Sequence, residues 1–499
     1  MQAITVGQEW LTVQRRAPVK TALYMIGLLM ILFSVSLLPP IAVAWWYDGY
    51  QVVMPFAEAM GAMLALGLLC WLPVCRFKAD LRNRDGFVVV VMFWFLLSLF
   101  GSLPFMLVEH PHMRLVDAVF ETVSGLTTTG ATILSGLDTL PKAILYYRAQ
   151  LNFLGGMGIV VLAVALLPML GIGGMQLYKA ETPGPMKDEK LTPRITETAK
   201  NLWYIYAGLN VICTLSFWAA GMNFFDALCH SFATLALGGF STHDASIGYF
   251  QSPAIELIAG VFSLVAAVNF ALFFLAWRSR SLKAVFRDAE FKFCMGVMGG
   301  IIAATCLYLY HSGKFPLWDS IYHGFFQAAS IITDNGLTAA GYPADWPFVV
   351  PLLLLLGSFF GGCVGSTCGG IKAFRFLLLF KQSWREIQLL IRPSAQITVK
   401  VGNRPMADRV MQAVWGFYFL YILSYCFFSL ALATTGVDLV TAFGSVAGCL
   451  NNMGVGLGTT ASNFAPLNDT ATWLLTLSML LGRLEVFPLL LLFVPGFWN

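Results

Sequence analysis

The chain has 499 residues, of which 58% are hydrophobic and only 11% are charged, and its formal net charge is +4. Because soluble domains carry about 25% charged residues, this composition excludes a soluble fold and indicates a polytopic membrane protein. About 20 apolar residues cross a bilayer as a helix, and the apolar runs predict ten spans: 21–46, 52–75, 87–108, 149–172, 201–221, 254–277, 293–311, 348–380, 411–434 and 471–495.

The first span and the basic residues predict how the chain is oriented. The first span is too long for a removable signal peptide and lacks a small-residue cleavage site, so we expect it to be a retained anchor. Most of the 30 Lys and Arg residues precede the first span or follow the second, fourth, sixth and eighth spans. Since cytoplasmic loops are enriched in Lys and Arg, these loops and both termini are predicted to be cytoplasmic.

Four short segments between the long spans each end in a loop that contains a glycine. We call these loops Gly loops 1 to 4; they are Thr127–Gly130, Ala236–Gly239, Thr333–Gly336 and Asn451–Gly454. Their register repeats although their residues differ. Gly130 and Gly239 each lie thirteen residues after an aspartate, while Ser124, Ser330 and Gly448 each lie six residues before a loop glycine. An old internal duplication leaves this kind of pattern.

The short segments predict pore helices, each followed by an irregular loop. Each has about ten to twelve residues, too few to cross a bilayer, and irregular backbone is tolerated at membrane depth only inside protein or beside a water-filled cavity. Four helix C-termini carry partial negative charge, and glycine lets carbonyls turn toward an axis. A lone glycine is more often a packing site or a simple loop, but four in equivalent positions favour a cation filter.

Acidic residues lie in or near the same four segments. They are Asp117, Glu121, Asp226, Asp319, Asp334 and Asp438. This distribution is compatible with simple avoidance of cations in outer loops, and also with an acidic vestibule that concentrates cations before a pore.

The predicted span 348–380 is too long and too rich in glycine for one helix. Thirty-three helical residues would extend about 50 Å, against an apolar core of about 30 Å. Small residues crowd its middle, namely Gly357, Gly361, Gly362, Gly365, Ser366, Thr367, Gly369 and Gly370. Such a sequence disfavours a helix and predicts two half-spans joined by a mobile gating loop, about 357–370. The alternative is close helix packing through small residues.

Arg483 is a charged residue within the last predicted span, and such a residue is a functional candidate by default. It could pair with Glu485 or snorkel to the interface. It could instead face the cavity, contact the glycine-rich loop and form a fixed barrier to cations. The ten cysteines lack metal-site spacing, and Cys363 and Cys368 are expected to be small packing residues.

Five motifs in order resemble the TrkH/TrkG branch of the Trk/Ktr/HKT superfamily of potassium transporters. They are Ser124–Thr132, Gly238–Asp244, Gly361–Lys372, Asn451–Gly458 and Gly482–Phe487, and the resemblance covers nearly the whole chain. It implies an all-α polytopic membrane protein with four membrane–pore–membrane repeats around one pore plus two extra N-terminal transmembrane helices. The implied boundaries are 1–85 for the N-terminal pair, 86–182, 201–290, 291–409 and 410–499 for the repeats, and 183–200 for a cytoplasmic loop.

The resemblance also implies K⁺ uptake across the bacterial cytoplasmic (inner) membrane, with K⁺ as the transported ion. By motif position the filter residues are Thr128, Thr129 and Gly130; Leu237, Gly238 and Gly239; Asp334, Asn335 and Gly336; and Asn452, Met453 and Gly454. The broken helix of the third repeat would supply the gate, and Arg483 matches an arginine of the family. Such proteins usually form homodimers on a cytoplasmic ring of TrkA-type nucleotide-binding regulatory proteins. We expect no nucleotide site in this chain, which lacks a Gly-rich phosphate motif, and no nucleic-acid partner.

The third Gly loop departs from the family pattern, because Asp334 stands where small or hydroxyl residues are more common. Its carboxylate would either strengthen cation binding or point away and cap a turn. A secondary symporter would more naturally show two inverted repeats with paired broken helices. A membrane enzyme would need a catalytic constellation, yet the six His residues form no His-x-x-x-His pair. We therefore expect channel-like ion uptake and no enzymatic activity.

Overall fold

The computed structural model describes residues 20, 23–24, 26–75, 83–165, 191–402, 404–491 and 493–495. Outside these ranges lie most of the basic residues before the first span and after the second, the end of the predicted span 149–172, and residues 183–190 of the predicted cytoplasmic loop. The chain divides into two compact units. The first is Met1–Thr122, Leu140–Tyr146 and Phe487–Asn499, and the second is Val123–Thr139 and Tyr147–Val486.

Within the described ranges, the regular structure is helical apart from one short hairpin. The helices are α1 (Ile26–Asp48), α2 (Tyr50–Trp71), α3 (Asn83–Gly101), α4 (Leu103–Leu107), α5 (Leu115–Leu126), α6 (Lys142–Ala165), α7 (Leu191–Ala219), α8 (Phe224–Ala236), α9 (Pro253–Ala266), α10 (Phe270–Ser279), α11 (Lys283–Arg287), α12 (Ala289–His311), α13 (Leu317–Ile332), α14 (Val349–Ser358), α15 (Ala373–Ile391), α16 (Asp408–Ala433), α17 (Leu439–Leu450), α18 (Asp469–Arg483) and α19 (Phe487–Leu491). The hairpin pairs β1 (Lys400–Val401) with β2 (Arg404–Pro405) in antiparallel register.

In the first unit, α2 packs against α1, α3 and α4. The last turn of α1, Ala44–Asp48, is π-helical and is followed by Gly49 with a φ of 85°. The Asp48 carboxylate accepts hydrogen bonds from the backbone N–H groups of Lys142 and Ala143 at 2.8 and 2.7 Å. Because the first N–H groups of a helix have no partner within it, α6 takes its N-terminal cap from the end of a different helix.

Five described helices are individually long and apolar enough to cross a membrane: α1, α2 with its following turn, the part of α7 from Lys200, α12 and α16. The bent pair α9 and α10 gives a sixth. The other four predicted spans fall on helices outside this group, namely 87–108 on α3 and α4, 149–172 on α6, 348–380 on α14 and α15, and 471–495 on α18 and α19. α7 begins at Leu191, so part of the predicted cytoplasmic loop 183–200 is helical.

The breaks in two of the predicted spans, 348–380 and 254–277, bear on the candidate site. α14 ends at Ser358 and α15 begins at Ala373, so residues 359–372 form a non-helical segment between two half-helices, as the glycine-rich sequence predicts. We call this segment the inner loop. The continuous span predicted over 254–277 is wrong, because α9 and α10 meet at 87°. Asn269 begins α10 by accepting a hydrogen bond from the backbone N–H of Ala271 at 2.8 Å.

Four short helices, α5, α8, α13 and α17, lead directly into Gly loops 1 to 4. They have between 12 and 16 residues. Three of them begin with an aspartate in or beside the first turn, where a negative charge stabilises the helix dipole: Asp117, Asp226 and Asp319. In α17 the cap is Asp438, whose carboxylate accepts from the N–H of Thr441. The interior of the second unit is built around these helices and their loops.

Candidate ion pathway

All four Gly loops begin with the same helix ending. The residue before each loop glycine donates its N–H to the carbonyl five residues earlier, at 2.8 Å in every copy: Thr129 to Ser124, Gly238 to Ala233, Asn335 to Ser330 and Met453 to Gly448. The preceding residue has a positive φ, namely 53° at Thr128, 55° at Leu237, 63° at Asp334 and 56° at Asn452. This is a Schellman ending built without glycine, although left-handed backbone costs an ordinary residue about 1–2 kcal/mol.

The loop glycines close a ring. Their φ values are 83°, 71°, 77° and 84° in chain order. A Cβ on Gly130 would lie 2.5 Å from the carbonyl oxygen of Gly238, and a Cβ on Gly239 would lie 2.5 Å from that of Asn335. A Cβ on Gly336 would overlap the oxygen of Met453, and one on Gly454 would overlap that of Thr129. Each glycine therefore packs against the next Gly loop, in the order 1, 2, 3, 4 and back to 1.

This ring brings backbone oxygens of all four loops together. The carbonyls that meet the glycines belong to Thr129, Gly238, Asn335 and Met453. The glycines of loops 1, 2 and 3 keep partial exposure, whereas the residues two positions before all four glycines are buried. Carbonyl oxygens in such a ring can replace the hydration shell of a cation.

Buried amide side chains join Gly loops 3 and 4 to the helix that follows the preceding Gly loop, join Gly loop 4 to Gly loop 1, and hold Phe240, directly after Gly loop 2, against α6. Each such bond replaces water around a buried polar group, and losing one partner leaves the other unsatisfied. The four bonds run from Phe240 N–H to Asn152 Oδ1 at 3.3 Å, from Asn335 to Ser263 at 2.7 Å, from Asn451 to Ser358 at 2.7 Å and from Asn452 to Thr129 at 2.9 Å.

The inner loop is bonded to the break between α9 and α10. The N–H of Cys363 donates to the carbonyl of Ala267 at 2.9 Å, and the N–H of Phe270 donates to the carbonyl of Gly365 at 3.1 Å. Buried backbone polar groups need partners, and two broken helices leave such groups free at the same depth. The backbone N–H and carbonyl groups at the two breaks therefore satisfy each other's hydrogen bonding.

The inner loop also contacts the helix ends that lead into the ring. The N–H of Gly370 donates to the carbonyl of Asn451 at 3.1 Å, and the hydroxyl of Thr367 donates to the carbonyl of Leu235 at 3.1 Å. Gly369 has no room for a Cβ because of the same Asn451 oxygen. The inner loop thus lies against the C-terminal ends of α8 and α17, directly before Gly loops 2 and 4.

Arg483 contacts the inner loop rather than Glu485. Its Nη1 donates to the carbonyl of Thr367 at 3.2 Å, while its Nε and Nη2 are buried without a hydrogen-bond partner. Glu485 instead pairs with Arg375 on α15 at 2.5 Å. Of the alternatives predicted for Arg483, which were a pair with Glu485, snorkelling to the interface or contact with the glycine-rich loop, the structure shows the contact with the loop.

Asp334 is fully buried, and neither of its carboxylate oxygens has a hydrogen-bond partner. It therefore caps no turn. Lys372 and Arg483 are the cations that interact with it electrostatically, and the Lys372 ammonium itself donates to the carbonyl of Cys368. A buried carboxylate without a hydrogen-bond partner is costly, and the positive charges of Lys372 and Arg483 reduce that cost.

Arg148 on α6 supports the residues that follow Gly loops 1 and 2. It is buried, and its guanidinium donates to the carbonyl of Ser241 at 2.8 Å and to the hydroxyl of Thr132 at 3.1 Å. It also lies 4.2 Å from the centre of the Phe240 ring. A cation over an aromatic face gains further attraction, so one side chain binds both segments that follow these loops.

His243 joins the same two segments farther along the chain. Its Nδ1 contacts the Asp138 carboxylate, its Nε2 lies 3.2 Å from Asp226 Oδ2, and its ring stacks on Tyr249 at 3.6 Å. Burial disfavours the charged imidazole, but hydrogen bonds and charge from the two aspartates outweigh it and raise the pKa of His243 above 6.5. The two carboxylates therefore favour the charged form of His243.

Comparison with known proteins identifies the fold family. Residues 53–498 match the family model TrkH, described as a cation transport protein. The chain belongs to the TrkH family. TrkH relatives include the Trk system potassium uptake protein TrkH of Halomonas elongata, 50% identical over 478 residues, which are 96% of this chain and 98% of that one. TrkG of Escherichia coli K12 is 47% identical over 481 residues, 96% of this chain and 99% of that protein.

The crystal structure of the potassium transporter TrkH from Vibrio parahaemolyticus matches with a TM-score of 0.89. The two chains are 47% identical, and the match covers 96% of this chain and 99% of the other. The family resemblance stated from the five sequence motifs and the all-α membrane fold class are thereby confirmed. Like other TrkH-family chains, this one is a membrane transport protein.

Within the TrkH fold, the structure brings the predicted residues together in two places. The twelve filter residues lie in the four Gly loops around the ring, and the predicted gate residues from Gly361 to Gly370 lie in the inner loop against Arg483. Sequence reasoning missed the supports Arg148, Asn152 and Asn269. The signal was present, because a polar residue within or beside an apolar span is a functional candidate by default.

Proposed function

We propose that this chain carries K⁺ into the cell across the bacterial cytoplasmic membrane, through a filter formed by the four Gly loops. The observation that carries the proposal is the closed ring in which each loop glycine packs against a carbonyl of the next loop. Relatives named as Trk system potassium uptake proteins support K⁺ as the ion. K⁺ is the substrate here, and it would be bound by backbone oxygens as it passes.

The filter of this proposal consists of each loop glycine and the two residues before it. Two left-handed residues in each loop turn the backbone away from the helical direction, which exposes carbonyls that a helix would use internally. The C-termini of α5, α8, α13 and α17 add partial negative charge at the same place. Both effects favour a cation, and neither depends on the differing side chains.

The proposed organisation is four membrane–pore–membrane repeats, 86–182, 201–290, 291–409 and 410–499, after an N-terminal helix pair in 1–85. Its support is that each pore helix is followed by a Gly loop and then by a second helix or helix pair: α6, α9 with α10, α14 with α15, and α18. Both termini would be cytoplasmic. By family resemblance, the functional assembly is a homodimer on a TrkA-type cytoplasmic ring that binds nucleotide.

The proposed gate is the inner loop together with Arg483. The loop touches the ends of α8 and α17 directly before the ring, and the Arg483 guanidinium lies against Thr367. A positive charge at this place opposes a passing cation. Regulation would then consist of moving the loop, which requires breaking the Arg483–Thr367 bond and the backbone bonds to the α9–α10 break.

Ion uptake in a cell that lacks its own K⁺ transport tests the function. We expect growth at low K⁺ and uptake of Rb⁺ in preference to Na⁺, measured with and without a protonophore. A protein that restores neither growth nor uptake, although present in the membrane, would exclude K⁺ transport. Uptake of an organic solute together with an ion would favour a symporter instead.

Deletion within the inner loop tests the gate separately. Removing Ser366–Gly369 should raise the basal flux of Rb⁺ in proteoliposomes that contain this chain alone. The deletion leaves the Gly loops intact, so selectivity for Rb⁺ over Na⁺ should persist. Flux that stays at background would argue for a packing role of the loop.

A further inference from the structure

Glu290 is a buried carboxyl group at the start of α12 that the ion pathway described above does not use. It is 6% exposed. α12 is capped by its neighbour, because the Asp288 carboxylate accepts from the N–H of Phe291 at 2.8 Å. Glu290 is therefore not needed for its own helix, and its side chain reaches the inner loop. Its Oε1 accepts from the backbone N–H of Val364 at 2.7 Å.

The same carboxyl group also lies beside the start of α15. This helix has no side-chain cap, and Lys372 stands at its N-cap with a φ of 78°. The first N–H groups of a helix need external acceptors. The Glu290 carboxyl group interacts electrostatically with the backbone N–H of Phe374, in the first turn. One side chain of α12 thus holds the middle of the inner loop by a hydrogen bond and lies near the start of the helix that follows it.

The bond to Val364 lies between the two backbone bonds that tie the inner loop to the α9–α10 break. Cys363 donates to Ala267, and Gly365 accepts from Phe270. Three consecutive loop residues are therefore each held by one bond, two of them to the α9–α10 break and one to α12. Gly365 has no spare room either, because a Cβ there would lie 2.9 Å from Asn269 Oδ1. Of these three attachments, only the one at Val364 uses a side chain.

We propose that Glu290 is the positioning residue that holds the inner loop in its non-conducting place. The proposal rests on the function proposed above, in which the inner loop is the gate. A side chain is the one attachment of this set that can be removed without changing the backbone of either partner. When it is absent, Val364 loses the acceptor of its N–H, so the loop leaves its place more often and basal ion flow rises.

Three variants of the full chain test this in proteoliposomes. Glu290→Ala removes the acceptor of the Val364 N–H, and Glu290→Gln keeps the shape with one neutral acceptor oxygen, which makes a weaker hydrogen bond than a carboxylate does. Glu256→Gln is the matched control, because Glu256 is also buried, lies on α9 and bonds to His323 at 2.8 Å rather than to the inner loop. Basal Rb⁺ flux should rise about tenfold in Glu290→Ala, the factor that the loss of one stronger hydrogen bond supplies, and less in Glu290→Gln. The control should match the wild type.

A second readout follows the loop itself. Cys363 is fully buried beside Val364, while Cys229 and Cys449 are buried in α8 and α17. In Glu290→Ala, N-ethylmaleimide should modify Cys363 faster than in the wild type, whereas Cys229 and Cys449 should stay protected, as read by peptide mass spectrometry. A merely structural role would expose all three thiols together.

The outcomes separate the proposal from the function on which it rests. Faster modification of Cys363 with unchanged flux would overturn the proposal and count against the inner loop as the gate. Unchanged flux with Cys363 still protected would overturn the positioning role and leave the gate intact. If Glu290→Ala exposes all three thiols, Glu290→Gln decides, and wild-type flux in that folded variant overturns the proposal.

Discussion

Replacing Gly130 by alanine tests whether the ring of carbonyls selects the ion. Gly130 has a φ of 83°, and an added Cβ would lie 2.5 Å from the Gly238 oxygen and 2.9 Å from the Gly239 Cα. Ordinary contact begins at 3.4 Å, so the carbonyl of Gly238 would have to retreat by about 0.9 Å, the difference between 3.4 and 2.5 Å. That oxygen belongs to the neighbouring Gly loop, and its displacement removes one ligand from the ring.

The expected size of the effect follows from two terms. Left-handed backbone costs alanine about 1–2 kcal/mol relative to glycine, and this term weakens the fold rather than selectivity. Losing one oxygen ligand to a cation resembles losing a hydrogen bond to a charged group, which is worth about 1.5–3 kcal/mol. Since 1.4 kcal/mol corresponds to a factor of ten, the preference for Rb⁺ over Na⁺ should fall about ten- to a hundredfold.

Gly136→Ala is the matched control, because it shares the backbone strain without the overlap. Gly136 has a φ of 72°, and the nearest atom to an added Cβ is Thr139 Oγ1 at 3.6 Å. Initial rates of radiolabelled Rb⁺ and Na⁺ uptake into proteoliposomes, at equal amounts of inserted protein, give the selectivity ratio. A Gly130→Ala protein that inserts normally and keeps the wild-type ratio would refute the reasoning. So would an equal loss of selectivity in Gly136→Ala.

Three further predictions follow from side chains around the ring. Asn452→Ala breaks the bond to Thr129 and should lower Rb⁺/Na⁺ selectivity in the same uptake assay, although less than Gly130→Ala, because no carbonyl is pushed away; a ratio equal to wild type would exclude this support. Arg483→Gln removes the charge beside Thr367 and should raise basal Rb⁺ flux, and unchanged flux would mean that the charge is no barrier. The raised pKa of His243 means that its stabilising bonds to the two aspartates are fully present below pH 6.5 and are lost as the pH rises through the raised value. The thermal unfolding midpoint of the wild type should therefore fall over that window more than that of His243→Asn, and parallel curves would contradict it.

The ring could be predicted from the sequence because it requires one residue type, glycine, at equivalent positions of the four loops. A left-handed residue packed against a neighbouring carbonyl admits only glycine, and the requirement recurs in one register at Gly130, Gly239, Gly336 and Gly454. The break that contains the inner loop could be predicted in the same way, since six glycines in the fourteen residues 357–370 disfavour a helix. In both places the local sequence and the tertiary structure favour the same backbone conformation.

The break between α9 and α10 could not be predicted in the same way. The sequence around it, Val265-Ala-Ala-Val-Asn-Phe270, contains no glycine or proline and reads as one apolar span. Its freed backbone groups bond to Cys363 and Gly365, which are about a hundred residues away in the chain. A tertiary contact therefore overrides the local preference, and Asn269 at the start of α10 is the one local sign of it.

The sequence alone does not decide which residue Arg483 contacts, for a related reason. Residues two apart do not face each other on a helix, so a helical span separates Arg483 from Glu485. In the structure α18 ends at Arg483, and both Glu485 and Val486 have positive φ. Glu485 then reaches Arg375, and Arg483 is left for the inner loop. The position at which α18 ends determines which residue each charged side chain contacts. Apolar patterns in a sequence specify helix ends poorly.

The ring is fourfold in its backbone but not in its supports, and this difference links the ring to the inner loop. Gly loop 1 is tied to Gly loop 4 through Thr129 and Asn452, while Gly loop 3 is tied to α9 through Asn335. Gly loop 4 alone is also bonded to the inner loop, through the Asn451 carbonyl and the N–H of Gly370. Any displacement of the inner loop that breaks this bond removes one support from Gly loop 4 and none from the backbone of the other three. Because a carbonyl in the ring is fixed by the packing of its neighbour, the selectivity of the proposed filter would then depend on the remaining bonds of Asn451 and Asn452.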